Sequence, residues 1–501
     1  MIGNKFLLSI DQSTSGTKAL VIDQTGRVLA KSTAEHRQIY PLPGWVEHDP
    51  MEIYENVKTV IRKVLQLAGV TPGQLAALTI TNQRETAVLW DKVTGRPVGN
   101  AIVWQCQRTA DLCEQLKAAG YEQLVRAKSG LMIDPYFSST KWKWMLDHNS
   151  EAQAKLSQGM LAAGTIDSWL IWKLTGGKVH ATDYTNASRT NLFNIFTGEW
   201  DEQLCEIFGV PRELLPDVKH SDELFGQTED PDLFDEHIPI TGVIGDSQAA
   251  LFGQLCLEAG TAKATYGTGT SVLLNTGKKP VPFCDGLAAT IAWGMNGTIT
   301  YALEAIIRTT GDTIKWVRDN LGLFDTFEEM ERWLAQAPDN EGVYLVPAFV
   351  GLGAPYWDPY ARATITGLSR GSGKAHIIRA ALESIAYQVC DAVEFMQQES
   401  GVMLTELRTD GGASKNETLM QFQADLLNKT IIASEVAELS AMGSAYAGGL
   451  GIGFWSSVEA LPDNRHAVRR YEPKMDTLER ERLYEGWKNA VHSVLGKRTR
   501  L

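Results

Sequence analysis

Short apolar runs separated by turn residues open the chain and predict strands. Phe6 to Ile10 is followed by an aspartate, Ala19 to Ile22 leads into the turn sequence Asp23-Gln24-Thr25-Gly26, and Arg27 to Ser32 comes next. Runs of this length that end at Asp, Asn or Gly are typical of strands joined by hairpins. The pattern therefore predicts three consecutive strands at the N-terminus.

A similar arrangement returns halfway along the chain. Pro239 to Ile244 is an apolar run that leads to an aspartate, a further strand is predicted up to Thr265, and Val272-Leu273-Leu274 continues to a predicted turn at Asn275-Thr276-Gly277. Repetition of one supersecondary unit indicates related domains. We therefore predict two domains that face each other across a cleft, residues 1–253 and residues 254–501.

Helical spacing is clear in the second half of the chain. One apolar face recurs every three or four residues and stops at Gly401, a common helix terminator; its members are Ile378, Leu382, Ile385, Val389, Ala392 and Met396. The last helix is predicted to begin with a capping box at Asp476 and Glu479. Its apolar side is expected to contain Leu478, Leu483, Trp487, Ala490, Val491 and Val494. Strands interleaved with helices indicate the α/β class.

Composition narrows the classes of function. The 501 residues are 44% hydrophobic and 21% charged, which is typical of a globular protein and not of a disordered one. The net charge of −13 argues against nucleic acid or an anionic membrane as a partner. No apolar run reaches the ~18 residues that a membrane helix needs. The first residues lack the pattern of a signal peptide, and none of the six cysteines forms a CxxC pair. We expect a cytoplasmic protein with free thiols.

The first hairpin loop, residues 11–18, carries candidate chemistry. Its small residues allow backbone N–H groups to converge on an anion, and its hydroxyls add donors. Lys18 would supply charge to a phosphate, and Asp11 could hold Mg²⁺ through water. An ordinary hairpin turn is the alternative interpretation. Repetition of the loop as Gly267-Thr268-Gly269-Thr270-Ser271 favours two loops that clamp a polyphosphate from both sides.

Other nucleotide motifs are missing or weaker. The sequence has no Walker A motif and no GxGxxG after a predicted strand, so P-loop and dinucleotide-binding interpretations lose support. A third candidate loop spans residues 409–416, where a double glycine would let a flat base approach the backbone and Asn416 could hydrogen-bond it. The alternative for this loop is a simple turn before a helix.

The order of five motifs resembles the FGGY family of carbohydrate kinases over nearly the whole chain. These motifs are DQSTSGTK, TNQRE, GDSQAALFG, YGTGTS and TDGGASKN. Residues 136–145 and 367–371 are similar to the two signatures of the family, and within the family the similarity is greatest to the glycerol kinases. The resemblance implies two actin/hexokinase-like, or ribonuclease H-like, domains with a cleft between them.

The resemblance also implies residue roles. Asp246 matches a catalytic base that accepts the proton of the attacking substrate hydroxyl. The polyol-binding residues that it implies are Arg84, Glu85, Trp104, Tyr136, Asp246, Ser247 and Ser271. For the nucleotide it implies Ser13, Thr14, Ser15, Lys18, Thr268, Gly311, Lys315, Gly412 and Asn416, with Asp11 for the metal. Without the resemblance, a surface ion pair for Arg84 and Glu85 and core packing for Trp104 would be favoured.

Three positions depart from the glycerol kinase pattern. Lys18 stands where arginine is usual, which keeps the charge but loses the two-pronged fork. Ser247 stands where glutamine is usual, and Ser271 where a phenylalanine packs on glycerol. Residues 230–237 also lack the glycine-rich, arginine-containing loop that binds fructose 1,6-bisphosphate in some bacterial relatives. We do not expect that regulation.

The sequence thus predicts a kinase that uses ATP and Mg²⁺ to phosphorylate a terminal hydroxyl of a small polyol, glycerol first, and that assembles as a dimer or tetramer. Kinases for a longer polyol or a ketose are the close alternatives. An ATP-gated binding protein of the actin or heat-shock type and a degenerate kinase kept as a scaffold are the other classes. A closed pocket that combines a base with Arg84, Glu85, Trp104 and Tyr136 would distinguish a kinase from an ATP-gated binding protein.

Overall fold

The computed structural model describes residues 5–282, 286–436, 438–462 and 468–496. Of the six cysteines, Cys284 lies outside the described residues, and the other five are buried free thiols. Within the described residues, no helix combines the length and apolar character that crossing a membrane requires.

The first half of the chain forms a five-stranded sheet, small two-stranded sheets and surrounding helices. Its strands are β1 (Phe6–Gln12), β2 (Gly16–Ile22), β3 (Val28–Glu35), β4 (Glu47–His48), β5 (Leu75–Asn82), β6 (Val88–Asp91), β7 (Ala101–Ile102), β8 (Leu161–Gly164), β9 (Ala181–Asp183), β10 (Phe193–Asn194), β11 (Glu199–Trp200), β12 (Asp217–Lys219) and β13 (Ile240–Gly245). Its helices are α1 (Pro50–Ala68), α2 (Ala110–Ala118), α3 (Glu122–Ser129), α4 (Ser138–His148), α5 (Ser150–Ser157), α6 (Ile166–Leu174), α7 (Tyr184–Ala187), α8 (Glu202–Phe208) and α9 (Asp246–Gly253).

The second half forms a seven-stranded sheet with its own helices. The strands are β14 (Thr261–Tyr266), β15 (Thr270–Gly277), β16 (Ala288–Met295), β17 (Thr298–Ile307), β18 (Tyr344–Val346), β19 (Thr364–Thr366), β20 (Glu406–Gly411), β21 (Thr430–Ser434) and β22 (Val468–Tyr471). The helices are α10 (Gly311–Asp319), α11 (Phe327–Gln336), α12 (Lys374–Ser400), α13 (Glu417–Leu427), α14 (Leu439–Gly451) and α15 (Thr477–His492).

The two large sheets repeat one topology. The first has the order β13-β5-β1-β2-β3, in which β2 is antiparallel to both neighbours while β1, β5 and β13 are parallel. In the second sheet β21-β20-β14-β15-β17 has the same arrangement, extended by β16 and β22 at the edges. The predicted repetition of the hairpin unit and the α/β class are thereby confirmed. The division at residue 253 stays a prediction; the sheets change over between β13 and β14.

Parallel strands place the candidate acidic residues together. Asp11 near the end of β1 pairs with Thr81 of β5, and Gly245 at the end of β13 pairs with Asn82 of β5. Asp246 directly follows as the first residue of α9. Because the carboxyl ends of parallel strands share one edge of a sheet, both aspartates lie at the same edge, where ligands bind in open α/β sheets.

The helical predictions are largely confirmed. Helix α12 ends at Gly401, whose φ of +69° is the left-handed conformation that glycine tolerates. The Asp476 side chain accepts a hydrogen bond from the Glu479 backbone at the start of α15. Two expectations were wrong. Leu478 is 79% exposed, because it lies in the first turn beyond the packed face. The predicted turn at 275–277 is the end of β15, which continues through a bulge.

Helices α9 and α14 follow equivalent strands of the two sheets and pack directly on each other. Their contact depends on small residues: a Cβ atom at Gly443 would lie 1.8 Å from the Ala249 carbonyl oxygen. Ser444 adds hydrogen bonds to Ser9 of β1 and Thr79 of β5. The second half of the chain is therefore anchored on the first sheet through one glycine- and serine-rich helix face.

We expect Gly443→Ala to destabilise the protein, because the added methyl group meets backbone atoms that cannot move aside. The expected loss is at least the ~1–3 kcal/mol typical of overpacking, seen as a lower melting temperature in calorimetry. The control is Gly371→Ala, where a Cβ would meet only the Ser369 hydroxyl at 3.6 Å. Equal melting temperatures for the two variants would contradict the packing argument.

Candidate active site

A cavity of about 860 Å³ lies between the two halves and is lined by residues of both. Nine of the residues predicted from sequence are on its wall: Thr14, Arg84, Glu85, Trp104, Tyr136, Asp246, Ser247, Thr268 and Ser271. The first hairpin contributes only Thr14 to the described wall. Asp11, Ser13, Ser15 and Lys18 are on the same hairpin but do not line this cavity.

A second cavity of about 810 Å³ lies wholly in the second half of the chain. It brings together five predicted nucleotide residues: Thr268, Gly311, Lys315, Gly412 and Asn416. Gly267 and Thr268 line both cavities, so the second hairpin loop forms the wall between them. Asn416 also serves as the N-terminal cap of α13, accepting a hydrogen bond from the Leu419 backbone. A ligand long enough to occupy both cavities would cross this loop.

Arg84 is the centre of a buried ionic cluster on the floor of the first cavity. Its Nε lies 3.3 Å from Asp246 Oδ1 and 3.7 Å from Glu85 Oε1. Its terminal nitrogens donate to Gln248 at 3.0 Å and to both carboxylate oxygens of Glu304, at 2.8 and 3.2 Å. This fork holds the guanidinium in one plane beside Asp246.

Glu304 and Arg189 complete this cluster. Arg189 donates to Glu85 at 2.7 Å, and its Nη2 lies 2.9 Å from Glu304 Oε2. The side chains of Arg189 and Glu304 are fully buried. Glu304 is on β17 of the second sheet, whereas Arg84 and Arg189 belong to the first half, so these ion pairs cross between the halves.

The charges in the cluster set the protonation of its carboxylates. Burial alone would raise the pKa of Glu304, but Arg189 and Arg84 lower it to about 2, so this residue stays ionised. Burial raises the pKa of Asp246, with Arg84 opposing. Asp246 is also the more accessible of the two, with 36% of its side chain exposed against 0% for Glu304. Asp246 is therefore the carboxylate able to exchange a proton with a ligand.

Aromatic residues form one wall of the same cavity. The ring centroids of Trp104 and Tyr136 are 5.3 Å apart, and Trp104 Nε1 donates to the Thr14 hydroxyl at 3.0 Å. The backbone of Glu85, on the same cavity wall, has a φ of +60°, which is uncommon for a residue other than glycine. Such strained backbone conformations cluster at functional sites. Polar donors, acceptors and an aromatic face together suit a small molecule with several hydroxyls.

The first hairpin presents a buried carboxylate beside a lysine. Lys18 Nζ lies 3.7 Å from Asp11 and 2.9 Å from Glu438, so its charge is already engaged. Burial raises the pKa of Asp11 to about 6, although Lys18 opposes this, and Asp246 and Glu438 raise it further. The Ser13 hydroxyl donates to the Gly16 carbonyl within the turn. Glu438 is also paired with Lys31 at 3.2 Å, so Asp11 is the carboxylate of this group whose charge is the least offset, and a bound cation would offset it.

Sequence reasoning missed four charged residues of the site. Arg189, Lys263, Glu304 and Arg308 were given no role, although Glu304 stands alone in the apolar run of β17. A carboxylate inside such a run is rarely buried without a partner, and that signal could have identified it. Lys263 lines the cavity, donates to Thr265 at 2.9 Å, and has its pKa lowered by burial.

Two sheets of one topology, with matching hairpins at a shared cleft, define the actin/hexokinase-like fold. The FGGY carbohydrate kinase N-terminal domain matches residues 6–253, and the C-terminal domain of the same family matches residues 262–452. The chain belongs to the FGGY family of carbohydrate kinases. It is accordingly an ATP-dependent kinase.

Known relatives agree with this assignment. A glycerol kinase of Caldanaerobacter subterraneus subsp. tengcongensis is 52% identical over 491 residues, which is 98% of this chain and 99% of the relative. The crystal structure of Plasmodium falciparum glycerol kinase with ADP is 37% identical, with a TM-score of 0.94 and 98% of each chain covered. A ligand-bound xylulose kinase of Lactobacillus acidophilus, at 20% identity, TM-score 0.88 and 99% coverage of both chains, shares the fold.

The raised pKa of Asp11 predicts that this residue destabilises the folded protein more as the pH rises. The folded protein binds this proton more tightly than the unfolded chain, because the pKa is about 6 in place of the ordinary 3.8. Stability from this group is therefore present below pH 4 and is lost as the pH rises through 6. We expect Asp11→Asn to stabilise the ligand-free protein, with a benefit that grows by about 1–2 kcal/mol from pH 5 to pH 8. Denaturant unfolding at both pH values measures it; a benefit that does not grow contradicts the prediction.

Proposed function

We propose that the protein phosphorylates a terminal hydroxyl of glycerol with ATP and Mg²⁺. The observation that carries this proposal is the position of Asp246, a carboxylate exposed to the cavity at the junction of a polyhydroxyl-binding wall and the hairpin loop shared with the second cavity. The names of the relatives at about 50% identity support glycerol as acceptor.

The proposed reaction is an in-line displacement. The Asp246 carboxylate accepts the proton of the acceptor hydroxyl, a bond forms between that oxygen and the γ-phosphorus, and the bond from phosphorus to the bridging oxygen breaks. ADP leaves with that electron pair. Such transfer requires positioning and charge stabilisation and little covalent work by the protein.

The acceptor would be oriented by the cluster and the aromatic wall. Glu85 accepts hydrogen bonds from acceptor hydroxyls, and Arg84 donates to them while it stays anchored on Glu304. Trp104 and Tyr136 cover the carbon chain. Since Arg84 is held on both sides by carboxylates, its donors point in fixed directions and the acceptor oxygen is kept beside Asp246.

The nucleotide would occupy the second cavity, with its phosphates passing Thr268 toward Thr14. When bound, Mg²⁺ supplies positive charge that neutralises phosphate oxygens. Asp11 fits this ion, because Mg²⁺ keeps several waters and needs only one or two carboxylates. Burial and the neighbouring acids raise the pKa of Asp11, so its ionised form is unfavourable in the free protein, and a bound cation would stabilise it. Among the residues that the structure describes, no group of three or more His, Cys, Asp or Glu side chains is placed to hold a metal ion.

A panel of acceptors tests the proposal. ATP consumption is measured with glycerol, with four- and five-carbon polyols, with a ketopentose and without acceptor. Glycerol-dependent turnover with little background supports the proposal. Acceptor-independent hydrolysis, or turnover only with the ketopentose, contradicts it.

A longer polyol is the second candidate, and Ser271 favours it. The Ser271 hydroxyl donates to Glu304 at 3.0 Å on the cavity wall, so this position carries a small polar group. A serine leaves room for a further carbon with its own hydroxyl.

Replacing Asp246 by Asn keeps the shape and removes the base. We expect kcat to fall by the ~10²–10⁴-fold typical of general-base removal, while nucleotide affinity changes little because the second cavity does not contain this residue. Steady-state kinetics and calorimetric titration with ADP measure the two effects. Turnover near the native rate would exclude Asp246 as the base.

Replacing Ser271 by Phe is expected to restrict the pocket. The ratio of kcat/KM for four- and five-carbon polyols to that for glycerol should fall by ~10–200-fold, the range for one hydrophobic contact. Competition between paired acceptors gives this ratio directly. An unchanged ratio would show that position 271 does not select the acceptor.

A further inference from the structure

The cavity wall carries three cations in different states, Arg84, Lys263 and Arg308. Arg84 is occupied by carboxylates, and Lys263 is buried. Arg308 is exposed, and within the described residues it forms no ion pair. The guanidinium donates to the Val350 carbonyl oxygen at 3.2 Å and lies 5.6 Å from the centroid of the Trp357 ring. The guanidinium is thus held in place without being neutralised.

The sheet register puts Arg308 beside the second hairpin loop. Thr270 of β15 pairs with Ile307 of β17 at the end of the ladder, so Gly269 and Arg308 are opposite each other one residue further on. A Cβ atom at Gly269 would lie 3.0 Å from the Arg308 carbonyl oxygen. Gly267 and Gly269 both line the cavity here, and the Gly267 N–H donates to the Gly269 carbonyl oxygen at 2.9 Å. Because neither residue has a side chain, the loop leaves space for an anion next to Arg308.

The loop beside Arg308 is the wall shared by the two cavities, and Arg308 lies on the side that contains Asp246. This is where a phosphoryl group would be after it leaves the nucleotide. Lys18 is engaged by Asp11 and Glu438 and is not on this wall. Among the described residues of this wall, Arg308 is therefore the cation that is both exposed and without an ion pair, and it is the one available to the charge of the transferred group.

We infer that Arg308 binds the phosphoryl group on the acceptor side of the cleft, both during transfer and in the phosphorylated product. This rests on the proposed function for the identity of the acceptor. Arg308 donates N–H groups to phosphoryl oxygens and exchanges no proton itself. A planar guanidinium suits this role because it presents paired donors to oxyanions.

The test uses equilibrium binding beside kinetics. Arg308→Gln should weaken binding of glycerol 3-phosphate by ~10–100-fold, the value of a lost charge-assisted hydrogen bond, and leave glycerol affinity within about twofold. Forward kcat should fall by ~10²–10³-fold, as for removal of one transition-state donor. Arg308→Lys should recover part of both. The matched control is Arg362→Gln, an exposed arginine that also donates to main-chain carbonyls but lines neither cavity.

A second arm does not depend on the acceptor. The native protein and Arg308→Gln are titrated with ADP and with a non-hydrolysable ATP analogue, in the presence of Mg²⁺. Loss of affinity for the analogue but not for ADP supports the inference even if glycerol is not the acceptor. Failure of the native enzyme to use glycerol would instead contradict the proposed function alone.

Two results would overturn the inference. One is binding of glycerol 3-phosphate and of the ATP analogue by Arg308→Gln within about twofold of native, with native kcat. The other is a loss of binding affinity confined to a carboxylated acceptor such as glycerate, which would show that Arg308 binds an acidic acceptor and not the phosphoryl group.

Discussion

The ion pairs of Glu304 with Arg84 and Arg189 join the two halves of the molecule at the floor of the cleft. Burying three charges is expensive, and an apolar replacement of such a cluster is often as stable. Removal of one member is costly, however, because the remaining charges are left unpaired. The cluster therefore fixes the relative position of the two halves at the floor of the first cavity.

The two carboxylates that contact Arg84 in this cluster, Glu304 and Asp246, differ in pKa and in exposure. Glu304 has two arginines and stays ionised, with a pKa lowered to about 2. Asp246 contacts Arg84 only at Nε, and its side chain is partly exposed to the cavity. Its surroundings are nevertheless buried enough to raise its pKa. Environment thus makes one carboxylate a fixed anchor and leaves the other as the group that we propose to accept the proton. A base next to an anchored guanidinium suits a reaction in which a hydroxyl must be oriented and deprotonated together.

Repetition of one topology explains why the site is at this place. Each half supplies a hairpin of small and hydroxyl residues at the carboxyl edge of its sheet, and the equivalent helices α9 and α14 pack through glycine contacts. Because helix packing brings the two edges together, the loop at Thr268 faces the one at Thr14 across the first cavity. The glycines at this interface are needed for a backbone approach that no larger residue permits.

The sequence by itself determined the local elements and the family, and it predicted most of the residues that the structure brings to the two cavities. Apolar runs and turn residues predicted the strands of both hairpins, three-four spacing predicted the helix that ends at Gly401, and the motifs led to Asp246, Arg84 and the family. Leu478 was misjudged, because periodicity does not show where packing stops. Only the tertiary structure decided which charges meet. Glu304 and Arg84 are 220 residues apart in the sequence. The register of β15 and β17 places Arg308 beside the second hairpin loop. Pairing over such distances depends on how two sheets are placed against each other, which no local pattern along the chain contains.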